Sequence, residues 1–216
     1  MKNNIIDVLK KVGAILINDH FVYTSGKHGD LYINKDFLYP HAKETSYVGM
    51  MFAEKFKGKK IEVVVAPAVG GAILCTWTAH HLSRLDGKEV LSVYTEKDKG
   101  TTASAAESEQ IFRRGYDKYV KGKKVLVIED LTTTGISVKK TVEATKKAGG
   151  IIVAVCVMVN RNPQNVNSKL FGAPFYALGE FPAKAYEENV CPLCKRGIPI
   201  NTIVGHGKKY LENNKK

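Results

Sequence analysis

Acidic residues are the first shortage: 21 Asp and Glu stand against 33 Lys and Arg, leaving a formal charge of +12 on 216 residues. Such an imbalance favours an anionic partner, whether a polyphosphate ligand, nucleic acid or an acidic membrane surface, although it also serves plain solubility. Cysteine is scarce too. Four residues are too few for a disulfide scaffold, and the N-terminus lacks the apolar run and small-residue cleavage site of a signal peptide. Together these predict a reducing, cytoplasmic setting. Long apolar runs are nearly absent. From Val63 to Ser83 there is no Asp, Glu, Lys or Arg, but Pro67, Gly70 and Gly71 interrupt the stretch and His80 and His81 end it. It reads as a buried strand, a glycine turn and a helix, not a membrane span. Neither Gly-x-x-x-x-Gly-Lys-Ser/Thr nor a Gly-x-Gly-x-x-Gly after a strand occurs, which disfavours nucleotide-hydrolysing and dinucleotide-binding loops. Without a helix-turn-helix or a basic stripe interleaved with aromatics, nucleic acid is disfavoured as a partner.

What remains is an ordinary globular composition, 44% hydrophobic and 25% charged, in a length suited to one domain over residues 1–216. Residues 185–216 differ in character and read as a small Cys-containing appendage. Ile5, Ile6, Leu9, Val12, Ile15 and Leu16 fall at helical spacing and predict an amphipathic helix over residues 3–17. Turn chemistry over residues 24–30 leads into a short strand at residues 31–34. Helices are expected over 43–56, 71–85 and 137–148, and strands over 61–66, 90–94, 125–128, 151–159 and 176–178. Strand and helix alternate, so the fold class is α/β, with a mainly parallel sheet flanked by helices. Residues 95–110 lack an apolar period and predict either a mobile loop or a frayed helix; a long loop inside a compact domain is usually functional.

The most informative segment is Val125-Leu-Val-Ile-Glu-Asp-Leu-Thr-Thr-Thr-Gly-Ile-Ser137. An apolar strand ends in Glu129 and Asp130, then hydroxyls and Gly135 precede a helix. At the carboxyl end of a strand, loop amides and a helix N-terminus make an anion site. Thr132, Thr133, Thr134 and Ser137 add hydroxyl donors, and Gly135 lets a phosphate approach the backbone. The adjacent acids make sense if the ligand is a sugar phosphate, whose hydroxyls they can bind. A plain helix cap would explain one Asp and one Thr, but not the whole string.

This string resembles the signature of type I phosphoribosyltransferases. The resemblance implies that Glu129 and Asp130 contact ribose hydroxyls, and that residues 132–137 bind the 5′-phosphate of phosphoribosyl pyrophosphate (PRPP). Three further segments are similar to the orotate branch of that family. In Phe21-Val-Tyr-Thr-Ser-Gly-Lys-His-Gly-Asp-Leu-Tyr-Ile-Asn34, the match puts Tyr32 and Ile33 near the base, Lys27 near the anionic ligand, and the segment in an N-terminal hood. Ala66-Pro-Ala-Val-Gly-Gly71 resembles the pyrophosphate loop, through Ala68, Val69 and Gly70. Asn160-Arg161 follows a strand where the family has Asp-Arg, and a guanidinium there can grip a carboxylate through two parallel hydrogen bonds.

The implied reaction is transfer of the phosphoribosyl group from PRPP to orotate, giving orotidine 5′-monophosphate and pyrophosphate in pyrimidine biosynthesis. Mg²⁺ with PRPP and a homodimer are implied too, with Lys97, Lys99 or Arg114 (beside Arg113) meeting the departing charge and Asp130 at the sugar. The chain departs from the family at Thr24, at Asn160 and across residues 94–104. Two alternatives stay open: a different base, or a non-catalytic PRPP-binding regulator. In the tail, Cys191-Pro-Leu-Cys194 has zinc-knuckle spacing, with His206 as the nearest further ligand; it is either a structural Zn²⁺ site or a pair of reduced thiols. Cys75 and Cys156 are expected as buried small hydrophobes.

Overall fold

A computed structural model describes residues 4–23, 25–98, 108–182 and 184–214. The first helix, α1 (Ile5–Lys11), opens on a capping box between Asn4 and Asp7. The helix expected to reach residue 17 stops early, because Gly13 turns left-handed at φ +70°. Ile15 and Leu16 instead open β1 (Ile15–Val22), which pairs antiparallel with β2 (His28–Ile33). Periodicity misled here because a strand that follows a helix after three residues can extend its apolar spacing by chance.

The expected alternation is found in α2 (Ala42–Phe56), β3 (Val63–Pro67), α3 (Gly70–Asp86) and β4 (Leu91–Lys97), then, after a short unexpected strand β5 (Gln110–Ile111), in β6 (Lys124–Thr132), α4 (Ile136–Lys147), β7 (Ile151–Asn160) and β8 (Phe175–Glu180). The short helices α5 (Ser168–Phe171), before β8, and α6 (Pro192–Lys195) and α7 (Gly207–Asn213), after it, were not expected. Where a loop or frayed helix was expected at 95–110, β4 runs on to Lys97, and β5 returns antiparallel against it. Residues 99–107 lie outside the described residues.

The six-stranded sheet has the order β5-β4-β3-β6-β7-β8, parallel except for β5. Its central strands are buried on both faces, which is why they read as unbroken Val, Ile and Leu. Val64, Leu126 and Cys156 face α1, α2 and α3; Val63, Val127 and Val155 face α4 and α5. Each such fully buried side chain contributes about 1.5–3 kcal/mol. Gly49 lets α2 cross α3 closely, since a methyl there would stand 2.5 Å from the Cβ of Trp77. The winding of the sheet switches between β3 and β6: the connection from β3 leads outward to β4, while β6 lies on the other side. The carboxyl ends of β3 and β6 therefore flank a crevice, the place where open parallel sheets bind ligands.

The tail is laid onto the β1–β2 hairpin. Tyr186 exchanges two 2.8 Å backbone hydrogen bonds with His28, and the amides of Asn201 and His206 donate to the carbonyls of His20 and Val22. No described helix is long and apolar enough to cross a membrane.

Candidate active site

β6 delivers two adjacent carboxylates into the crevice. Glu129 is 7% exposed and Asp130 4%. Glu129 Oε1 accepts the amide of Asp130 at 3.0 Å, and Asp130 Oδ1 accepts that of Leu131 at 2.6 Å. On its other oxygen Asp130 receives the Tyr39 hydroxyl at 2.5 Å and the Lys35 ammonium at 3.2 Å. Burial, reinforced by the charge of Asp130, pushes the Glu129 carboxyl well above the usual carboxylate range. Burial works against the Lys35 ammonium, but Asp130 and Asp36 outweigh it and hold its pKa above the ordinary value. Burial and Asp130 likewise raise Tyr39, which stays a neutral donor. The result is one compact array of carboxylates, a phenol and a cation at the end of a central strand.

The β3 loop closes on this array from the opposite side of the switch point. A methyl group on Gly70 would overlap the Asp130 carboxylate and the Tyr39 hydroxyl, so only glycine fits. Ala68 and Val69 are exposed beside it, and the Ala68 amide donates to the Thr95 carbonyl at 2.8 Å.

Beyond Asp130 the chain turns through Thr132–Gly135 into α4. Gly135 sits at φ +75°, and a methyl group there would overlap the Leu170 side chain, so only glycine fits. Thr133 and Thr134 are exposed, Ser137 is half-buried in the first turn of α4, and Asn162 supports the loop by donating to the Thr133 carbonyl at 3.1 Å. These residues line a cavity of about 650 Å³ whose other wall is Tyr23, Tyr32, Ile33 and Arg161. The guanidinium of Arg161 lies 4.8 Å over the Tyr23 ring, and its Nε is buried with no hydrogen-bond partner. A buried, unpaired N–H is costly and rare in a finished structure, so it points to an acceptor brought by a ligand.

Among the residues singled out from sequence, the cavity thus gathers Tyr32, Ile33, Thr132, Thr133, Thr134, Gly135, Ser137 and Arg161, with Glu129, Asp130 and Gly70 adjoining. Others lie apart. Lys27 pairs with Glu187 at 3.0 Å and is not among the cavity's lining residues. Lys97 is exposed at the end of β4, Arg113 pairs with Asp98 at 3.1 Å, and Arg114 is bound to Glu96; Lys99 and Thr24 lie outside the described residues. Asn160 is buried as a loop brace: its side chain donates to the Val166 carbonyl and accepts the Asn162 amide. Sequence reasoning missed Lys35, Tyr39 and Tyr23. Lys35 directly follows the quoted hood segment, and that proximity was the available signal.

In the tail, the partner expected for the cysteines is corrected. His206 lends its backbone to the start of α7 and does not join them. Instead His20 and His28, from the hairpin, meet Cys191 and Cys194, with all four ligand atoms within 4.8 Å of one another. Cys75 and Cys156 are buried thiols whose pKa burial raises.

The phosphoribosyl transferase domain model matches residues 38–171. This chain belongs to the phosphoribosyltransferase family. Its curated relatives include an orotate phosphoribosyltransferase of Caldanaerobacter subterraneus subsp. tengcongensis, 36% identical over 92% of this chain and 95% of the relative. Another, of Thermotoga maritima, is 35% identical over 94% and 98%. Among solved structures, orotate phosphoribosyltransferase from Aeropyrum pernix superposes with a TM-score of 0.62 at 22% identity, covering 88% of this chain and 96% of that one. A PRPP complex of the Mycobacterium tuberculosis enzyme gives 0.58 at 19% identity, over 82% and 96%. Family membership gives the strand, acid pair and hydroxyl loop of β6 a common purpose.

Proposed function

We propose that this phosphoribosyltransferase transfers the 5-phosphoribosyl group of PRPP to orotate, releasing pyrophosphate and orotidine 5′-monophosphate. One observation carries the choice of base: Arg161 lines the same cavity as the hydroxyl loop, and its Nε is buried without a hydrogen-bond partner. A carboxylate on a flat base would complete that guanidinium through two parallel hydrogen bonds, and the named relatives agree with it.

In this reading the amides and hydroxyls of residues 132–137 hold the 5′-phosphate at the N-terminus of α4. Glu129 and Asp130 accept the ribose hydroxyls, and Lys35 and Tyr39 fix the Asp130 carboxylate in place. Tyr32 and Ile33 bound the base while Arg161 orients it, so that a ring nitrogen attacks the anomeric carbon as the bond to pyrophosphate breaks. The transition state resembles an oxocarbenium ion, so positioning and fixed negative charge beside the sugar do most of the work. The exposed Ala68–Val69 loop faces the pyrophosphate, and a cation from Lys97 or Lys99 meets its departing charge; Arg114 would first have to leave Glu96.

The carboxylate oxygens of Glu129 and Asp130 suit a hard cation, yet Asp130 already accepts three hydrogen bonds. That fits Mg²⁺ carried mainly by the ligand and its waters. When bound with PRPP, it neutralises pyrophosphate. A homodimer and a cytoplasmic location complete the proposal, both on family resemblance. The test is product formation from PRPP, Mg²⁺ and orotate. Orotidine 5′-monophosphate is expected; turnover with another base and none with orotate would overturn the reading.

A further inference from the structure

The Cys-x-x-Cys tail takes no part in this chemistry, yet it completes a built cluster. His20, His28 and Cys191 are buried and Cys194 is half-buried. His20 Nε2 lies 2.9 Å from His28 Nδ1, 3.9 Å from Cys191 Sγ and 3.7 Å from Cys194 Sγ, while Cys194 Sγ is 3.2 Å from His28 Nδ1. Around tetrahedral zinc, with Zn–S of about 2.3 Å and Zn–N of about 2.0–2.1 Å, neighbouring ligand atoms stand roughly 3.3–3.8 Å apart. The observed separations straddle that range. The imidazole of His20 is also oriented for ligation. Its Nδ1 lies 2.7 Å from the Ile198 carbonyl, an acceptor only, so Nδ1 carries the proton and Nε2 turns its lone pair inward. Metal-bound histidines are held by this kind of outer hydrogen bond.

We propose that His20, His28, Cys191 and Cys194 hold one Zn²⁺, which clasps the C-terminal tail to the β1–β2 hairpin. Two thiolates balance the charge of the ion, and a closed set of two sulfurs and two nitrogens is the donor set of a structural zinc. The two histidines come together because His28 pairs with Val22 across the hairpin, and His20 lies two residues back along the same strand. The clasp has a consequence for the cavity. His20 and His28 flank the turn that carries Tyr23, and Tyr186, hydrogen-bonded to His28, directly follows Ala185 in the cavity wall. The metal therefore ties together both chain segments that stand around Arg161. This consequence rests on the reading of that cavity as the base site; the metal site does not.

The test uses the purified full chain, equilibrated with Zn²⁺ and freed of loose metal by gel filtration. One zinc per chain is expected, lost in Cys191→Ser and His28→Ala and kept in His206→Ala and Cys75→Ser. Replacement by Co²⁺ should give the thiolate charge-transfer and strong d–d absorption of a tetrahedral sulfur site. Since the ligand variants can fail to fold, the wild-type chain is also stripped by a chelator and reloaded. Stripping should speed hydrogen exchange in residues 18–33 and 185–206 and raise KM for orotate several-fold, with both reversed by zinc. No stoichiometric zinc, iron in its place, zinc retained by Cys191→Ser, or a Cys191–Cys194 disulfide would each overturn the site. Zinc bound as expected, with exchange and KM unmoved on stripping, would overturn the clasp. Altered exchange in a chain that never turns over orotate would uphold the clasp and count against the base assignment alone.

Discussion

Replacing Arg161 by alanine removes the guanidinium that lines the cavity and can grip a carboxylate with a parallel pair of hydrogen bonds. Each hydrogen bond from a charged donor contributes roughly 1.5–3 kcal/mol. Losing a parallel pair should thus cost about 3–5 kcal/mol, or roughly 150- to 4000-fold in kcat/KM at tenfold per 1.4 kcal/mol. Tyr23, which packs 4.8 Å beneath the guanidinium, would also lose its stacking partner, a smaller effect of about 0.5–1 kcal/mol. Arg161→Lys keeps the charge and loses the fork, so it should fall between wild type and alanine. The assay is steady-state kinetics with orotate varied at saturating PRPP, then PRPP varied at saturating orotate. The loss should appear with orotate while KM for PRPP stays near wild type, because the hydroxyl loop is untouched. Unchanged kcat/KM for orotate in Arg161→Ala would refute the reasoning, as would an equal loss for bases lacking a carboxylate.

Three other perturbations follow from the acid array. Lys35→Met strips Asp130 of its cation at 3.2 Å; kcat should drop at least about tenfold, some 1.4 kcal/mol of transition-state stabilisation, and unchanged turnover would remove Lys35 from the site. Gly70→Ala places a methyl on Asp130 and Tyr39, an overpacking of about 1–3 kcal/mol; the stabilisation by PRPP in thermal unfolding should vanish, and a wild-type shift would contradict the close approach. Glu129 titrates above the ordinary carboxylate range. Between its unfolded and folded pKa values the folded state binds more protons, so this group makes stability fall as pH rises from about 4 upward. Glu129→Gln removes that loss, and its Tm relative to wild type should climb with pH. A pH-independent difference would show that Glu129 is not buried as described.

The acid pair and hydroxyl loop were legible because they depend on one continuous segment. A strand with both faces buried must be apolar, and Glu129-Asp130 at its end stands out against that background. Gly70 and Gly135 were legible for a similar reason, each marking a strand-to-helix turn. What depended on the hairpin was not. Once Ile15 and Leu16 are assigned to a helix, β1 disappears, and with it the pairing that sets His20 diagonal to His28. The cysteines were then left with His206, close in sequence but not in space. Lys35 and Tyr39 act on Asp130 across 95 and 91 positions of sequence, a distance that only the packing of the 35–39 turn against β6 spans. The use of Asn160 as a loop brace likewise follows from its contact with Val166, six residues on. An Asn-Arg dipeptide does not reveal it.

The most direct test of the central claim is pyrophosphate release from PRPP and Mg²⁺, with orotate, uracil, adenine, guanine and hypoxanthine supplied separately. Release with orotate alone is the predicted result. Release with another base would keep the phosphoribosyl chemistry but contradict the role given to Arg161. Tight PRPP binding without release for any base would contradict catalysis itself and leave a protein that binds the sugar phosphate without reacting it.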